Sequence, residues 1–247
     1  MTPIALSSIA FGCVAVGVLL GARGYSLLPE EYRKPDTKEV VRLGTGLVGT
    51  TVALVLGLLI GSAKNFYDTQ NSEITEIAAG AILLDRVLAH YGPEAKDARD
   101  LLRDSIVSQV DRSRRHSNWV EPFFGSGEPV FDKIQALSPQ NDRQRSLQIQ
   151  ALGLMTKLGQ THWLMVEQRT SSVPMPLLAM LIFWLVLLFT SFGLFVRPNA
   201  AIIVSLMMSA LAVCGAIFLI LEMYQPDFGS IHTSDAALRE ALLQLGR

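Results

Sequence analysis

The sequence predicts an all-α membrane protein: four transmembrane helices, with a helical extramembrane extension set between the second and the third. Three observations carry this expectation. Half of the residues are hydrophobic and only 17% are charged, with a positive mean hydropathy, a balance outside the range of soluble domains. Four stretches are long and apolar enough to cross a hydrocarbon core, which takes about 20 residues at ~1.5 Å rise each. They are Ile4–Ala22, Gly44–Ala63, Met175–Val196 and Ala200–Tyr224. Between the second and third stretches lies a long segment without membrane character that carries 13 of the 21 Lys and Arg.

Taken in order, Ile4–Ala22 has no basic residue before it and no Ala-x-Ala site before Arg23, so it reads as a retained helix and not as a secretory signal. Gly44–Ala63 is followed directly by Ile74, Ile77, Ala78, Ala81, Ile82 and Leu88 at helical spacing, so the second span should continue outward as one long amphipathic helix. Gly92-Pro93 ends it. Glu94–His116 repeats the pattern with Ala98, Leu101, Leu102, Ile106 and Val110, its acidic start and Arg-rich finish suiting the helix dipole. Trp119–Pro129, WVEPFFGSGEP, reads as a loop that lids the helical packing or rests Trp119, Phe123 and Phe124 at the membrane interface. Ser138 as N-cap and Pro139 in the first turn should open the next helix, whose stripe is Leu147, Ala151, Leu154, Leu158, His162 and Met165. Pro174 and Pro176 break it before the third span. The divisions are thus residues 1–63, the first helix pair with its link; 64–174, the extension; 175–224, the second pair; and 225–247, an amphipathic tail.

The formal charge of −1 lacks the broad basic footprint that nucleic acid requires, so nucleic acid is excluded as a partner. The bilayer is the partner that the composition implies. Further copies of the chain are expected because the apolar stripes of the extension and the small-residue faces of the first two spans exceed what one four-helix bundle buries, and small inorganic ions are partners if those copies enclose a pore. Cys13 and Cys214 lie in apolar runs and read as small hydrophobes. His90, His116, His162 and His232 are scattered, and no HExxH, GxSxG, phosphate-binding loop or Cys/His cluster is present, so neither an enzyme nor a cofactor or metal site is expected. His162 reads as a core residue or a pH sensor, and SRRH, 113–116, as a solvated helix end or a lipid headgroup contact.

Two constellations bear on function. Gly46, Thr50, Ala53, Gly57, Gly61 and Lys64 recur every three or four residues along the second span, a small-residue stripe that ends at a cation. Such a stripe lines a pore when repeated about an axis, with Leu54 and Leu58 towards neighbours, or else closes a helix contact, as Gly17 with Gly21 would in the first span. The second constellation is Glu222 in LEMYQPDFG, 221–229. The chain order puts Lys64, Arg169 and Glu222 on one membrane face. A carboxylate at an apolar boundary is costly unless solvated or paired, and Lys64 is the nearest cation by this logic. A structural pair, a solvated helix end and an ion or proton site at a pore mouth all satisfy that requirement.

LVLGLLIGSAKNFYDTQNSEI (54–74), LLDRVLAHYGPEAKDAR (83–99), PMPLLAMLIFWLVLLFTSFGLFVRPNA (174–200) and AIFLILEMYQPDFGSIHTSDAALREALLQLG (216–246) resemble the bestrophin-like family of bacterial membrane proteins. The family's usual ending runs Leu-Glu-Leu-Asp-Arg-Pro-Phe and then Gly. This chain keeps Leu221, Glu222, Pro226 and Gly229, while Tyr224, Gln225 and Asp227 depart and remove an acidic-basic pair. The resemblance implies the layout of bestrophins, which are oligomeric anion channels, and hence a homo-oligomer, with five subunits as the analogue's number. It also implies a bacterial inner membrane protein with the extension and both termini in the cytosol. Taken alone, the five Lys and Arg of the link Arg23–Arg42 point the other way, but four acids blur that count, and the cytosolic extension is the reading adopted. Two functions remain open: an oligomeric channel, anion-conducting by resemblance, or a non-conducting membrane scaffold whose extension binds a partner.

Overall fold

The computed structural model describes residues 2–27, 35–114, 123–170, 175–195, 199–224 and 236–245. It is helical, with no strand among the described residues. The helices are α1 (Pro3–Leu27), α2 (Pro35–Tyr91), α3 (Lys96–Arg114), α4 (Phe123–Gln135), α5 (Asp142–Thr170), α6 (Met175–Phe195), α7 (Ala200–Tyr224) and α8 (Ala236–Gln244), with a 3-10 turn at Pro93–Ala95. The four expected spans fall in α1, α2, α6 and α7, each long and apolar enough to cross a membrane. The second span does continue outward: α2 is one helix of 57 residues. The chain divides into two compact units, residues 1–66 with 172–231, and residues 67–171 with 232–247.

The first unit holds the spans. Val14 and Val18 of α1, Val52, Leu59 and Ala63 of α2, Leu181, Leu185 and Phe189 of α6, and Ile217 and Ile220 of α7 form its core. The closest approach is between α1 and α6. A Cβ added at Gly17 would lie 2.7 Å from Thr190 Oγ1, one at Gly193 would lie 2.7 Å from the Val18 carbonyl oxygen, and one at Gly21 would run into the Thr190 backbone. Lipid offers no hydrophobic drive for helix association, so close backbone packing between small residues supplies the attraction. The Gly17–Gly21 spacing is therefore a helix contact, made inside the chain.

The second unit is a helical group around Ile77, Leu84, Leu88, Leu102, Ile106, Ile134 and Met165, all nearly inaccessible. The expected stripes are its core: Ile74, Ala78 and Ala81 of α2, Ala98 and Val110 of α3, Ala151 and Leu158 of α5. α2 stops at Gly92, whose φ of 132° suits only glycine. Asp85, 5% exposed, receives two bonds from Arg99, from Nε at 2.7 Å and Nη2 at 2.9 Å. That bond pushes the Arg99 guanidinium above its ordinary pKa against the opposing effect of burial.

Two expectations are corrected. WVEPFFGSGEP is not all loop: α4 begins at Phe123 and carries Pro129 within it, and residues 115–122 lie outside the described ones. Gly125, Gly127 and Pro129 argue for a loop, but Val130 and Ile134, one turn apart, are 1% and 0% exposed. Burial of that pair overrides local propensity. The cap of α5 is Asn141, not Ser138. Its Oδ1 accepts the Gln144 N–H at 2.8 Å, while Gln144 Oε1 accepts the N–H of Gln140, the residue before the cap, at 2.8 Å, a variant of the capping box shifted by one residue. Gln144 Nε2 also donates to the last carbonyl of α2, Tyr91 (3.1 Å), and Gln148 Nε2 to the carbonyls of Ile134 and Leu137 at the end of α4 (both 2.9 Å). Two carboxamides of α5 thus satisfy carbonyls that helix ends leave without intrahelical partners.

Gln70 and Gln109 are 0% and 1% exposed, and neither polar atom of either carboxamide has a hydrogen-bond partner among the described residues. Desolvated polar groups of this kind cost on the order of 1–3 kcal/mol each. Gln70→Leu and Gln109→Leu, close in volume, are therefore expected to raise the thermal melting point in detergent, whereas a fall would mean the carboxamides are satisfied. Gly193→Val should destabilise by roughly 1–3 kcal/mol through overpacking. Gly153→Ala, where an added Cβ meets nothing within 4 Å, should be neutral or gain a few tenths of a kcal/mol up to about 1.

Candidate functional site

The expected site residues lie on α2 and at the end of α7. The described part of α7 runs to Tyr224, which Gln225-Pro226 follows in the sequence. Its last turn is held against α2 by two contacts. Tyr224 Oη shares a hydrogen bond with Ser62 Oγ at 2.9 Å, and the Tyr224 ring stacks on Phe66 with centroids 5.2 Å apart and planes at 27°. Ser62 and Phe66 are one turn apart and flank Lys64. The segments bearing Lys64 and Glu222 are thus joined side by side.

The two charges have different surroundings. Glu222 is 3% exposed beside Leu221 at 4%, while Lys64 is exposed. A carboxylate this enclosed must be compensated by hydrogen bonds or an opposite charge, and Glu222 and Lys64 each have an interaction partner. The side chain of Arg169 lies outside the described residues. Sequence reasoning missed Ser62 and Phe66. It noticed Tyr224 only as a departure from the family ending, and no spacing rule links residues 162 positions apart.

The stripe expected from sequence occupies one open face. Gly46, Thr50, Ala53, Gly57, Gly61 and Lys64 are all exposed, and a Cβ at Gly46, Gly57 or Gly61 would meet nothing within 4 Å. At 100° per residue these six fall within about 80° of arc. Leu43, Leu47, Leu54 and Leu58 occupy the adjoining arc, each at least 70% exposed, and Val52, Leu59 and Ala63 face the core. Only 11% of the apolar stretch of α2 is enclosed by the chain, against 28% for α1 and for α6. The stripe therefore differs from Gly17 and Gly21, whose spacing is the same but whose partner is α6.

Among the described residues no group of three His, Cys, Asp or Glu could hold a metal ion. Cys13, exposed, and Cys214, buried, are free thiols. His162 is buried on the α5 stripe with its ring centroid 6.4 Å from that of Trp163, edge to face.

Four apolar helices, a helical extension between the second and third, and an open face along the second define a multi-pass membrane protein of the bestrophin layout. The family model of the Bestrophin-like domain matches residues 11–238. The chain belongs to that family. Comparison with curated proteins and with solved structures gives no match.

A double-mutant cycle tests the pairing of Lys64 with Glu222. Glu222→Gln and Lys64→Met are each expected to lower the melting temperature by several degrees, and the double variant to cost less than their sum. Additive costs would leave Glu222 as a separately compensated helix end.

Proposed function

We propose that the chain is one subunit of a homo-oligomeric membrane channel that conducts small inorganic anions, with α2 nearest the axis. The open small-residue face of α2 carries this reading. A helix whose core side is packed inside the chain, and whose opposite side presents glycines, a threonine and a terminal cation, is suited to line a path between copies. The adjoining leucines offer each neighbour an apolar flank. Family membership supports the reading through the likeness to bestrophins, which also supplies five as the expected number of subunits. The protein moves ions without transforming them, so it is not an enzyme and needs no cofactor. It lies in the bacterial inner membrane with residues 64–174 in the cytosol.

One observation favours the other reading, a non-conducting scaffold whose extension binds a partner. Gly17 and Gly21 show that this chain uses small residues to close helix contacts. The stripe on α2 would then close a contact between copies.

Flux, assembly and accessibility measurements test the proposal. Liposomes reconstituted with the protein should pass chloride, and light scattering in mild detergents should give a single oligomer; a monodisperse monomer would end the proposal. Gly57→Leu should block or narrow conduction while the oligomer persists, whereas loss of assembly together with flux would favour the scaffold. Single cysteines at Ser126 and Asp36, probed in intact cells with an impermeant thiol reagent, should label at Asp36→Cys and not at Ser126→Cys. The reverse pattern would invert the orientation.

A further inference from the structure

The exposed face of α2 does not begin at Gly46. Lys38, Arg42, Gly46 and Thr50 follow one another at single-turn intervals on the unbroken helix. Together with Glu39 and Leu43 they line an open groove of about 790 Å³. Arg42 is exposed and Lys38 half-buried, and neither forms an ion pair with another described residue. Glu39 borders the same groove, so two cations face one carboxylate. From Arg42 to Lys64 is 22 residues, about 33 Å along a helix, close to the ~30 Å of a hydrocarbon core. No Asp, Glu, Lys or Arg lies between them. By the same 100° per residue Arg42 lies about 60° and Lys38 about 100° from the centre of the small-residue stripe, both away from the arc of exposed leucines, while Glu39 lies at that centre.

We propose that Arg42, with Lys38 one turn before it, is the charge-selecting mouth of the α2-lined path, at the end remote from the extension. The inference rests on the reading of α2 as pore-lining and adds the residues that decide which ions enter. Repeated around an axis, Arg42 becomes a ring of guanidinium groups. A ring of one sign at the mouth of an apolar path concentrates counter-ions and repels co-ions. Arg42 is an aperture charge, since the residues that follow it along the stripe, Gly46 and Thr50, carry no charge to hold an ion further in. Glu39, nearest the centre line, opposes this field, and the three charged residues of the groove leave one net positive charge per subunit.

The test is the reversal potential of the reconstituted, full-length protein in planar bilayers under a potassium chloride gradient. Wild type should reverse towards the chloride potential. Arg42→Glu should lower the chloride-to-potassium permeability ratio about tenfold, the low end of what such fields achieve, and adding Lys38→Glu should lower it further. Arg23→Gln, which removes a charge from α1, should leave the ratio unchanged; an equal shift there would mean a general surface-charge effect and overturn the inference. If the Glu variants fail to assemble, Arg42→Cys is modified in the assembled protein. A sulfonate-bearing thiol reagent should move selectivity towards cations and an ammonium-bearing one should restore it, with wild type, carrying Cys13 and Cys214, treated in parallel and unaffected. Flux with a reversal potential that none of these changes move overturns the role of Arg42 and leaves the channel standing. Absence of flux in wild type overturns the channel itself, and this inference with it.

Discussion

The constraint on which the rest of this molecule depends is that hydrocarbon offers no hydrogen-bond partner to a backbone N–H or carbonyl. Each crossing must therefore be an uninterrupted helix, and irregular backbone can occur only outside the spans. Gly and Pro are distributed accordingly. The glycines of α1, α2, α6 and α7 keep helical geometry, and the only positive φ among the described glycines is at Gly92, where α2 ends in the second unit. With the backbone settled in this way, side chains decide only which helix faces meet. In lipid that choice is made by close fit, not by exclusion of water.

One residue type consequently serves two ends. Gly21 and Gly193 are small because backbone lies against them, and Gly17 because the Thr190 hydroxyl does, with no space for a Cβ at any of the three. Gly57 and Gly61 have the spacing of Gly17 and Gly21, and they and Gly46 have nothing within 4 Å of an added Cβ among the described residues. Periodicity alone cannot separate these cases, because the distinction lies in what faces the helix. Charge placement helps. The α1 pair lies in a run free of charge, while the α2 stripe runs between Arg42 and Lys64 at a spacing that matches the membrane.

Much of the fold was legible in the sequence because membrane and amphipathic helices announce themselves by length and period. Ala200–Tyr224 agrees with α7 to the residue, and the Gly92-Pro93 stop lies where α2 ends. What sequence obscured was tertiary in origin. α4 survives Gly125, Gly127 and Pro129 because Val130 and Ile134 have a core to enter, and that core is assembled from distant segments. Ser138 and Asn141 are both acceptable caps by residue type, and the choice fell to Asn141 through its pairing with Gln144. At the candidate site the stripe and Glu222 were readable as a pattern and as an anomaly. The joint made by Ser62, Phe66 and Tyr224 was not, since its members become neighbours only once α7 has returned beside α2.

The place of α8 has a consequence for how the protein is made. Leu238, Ala241 and Leu245 are buried in the core of the second unit, where α8 packs on α3. Yet in chain order α8 follows both α6 and α7. Translation proceeds at about 5–20 residues per second, so the helices of residues 67–171 emerge several seconds before the segment that completes their core. During that interval part of an apolar surface stays uncovered beside a membrane still receiving its last two spans. A nascent chain halted before residue 236 would carry all four membrane helices and still display that uncovered surface, a mark by which chaperones or proteases could tell an unfinished product from a finished one.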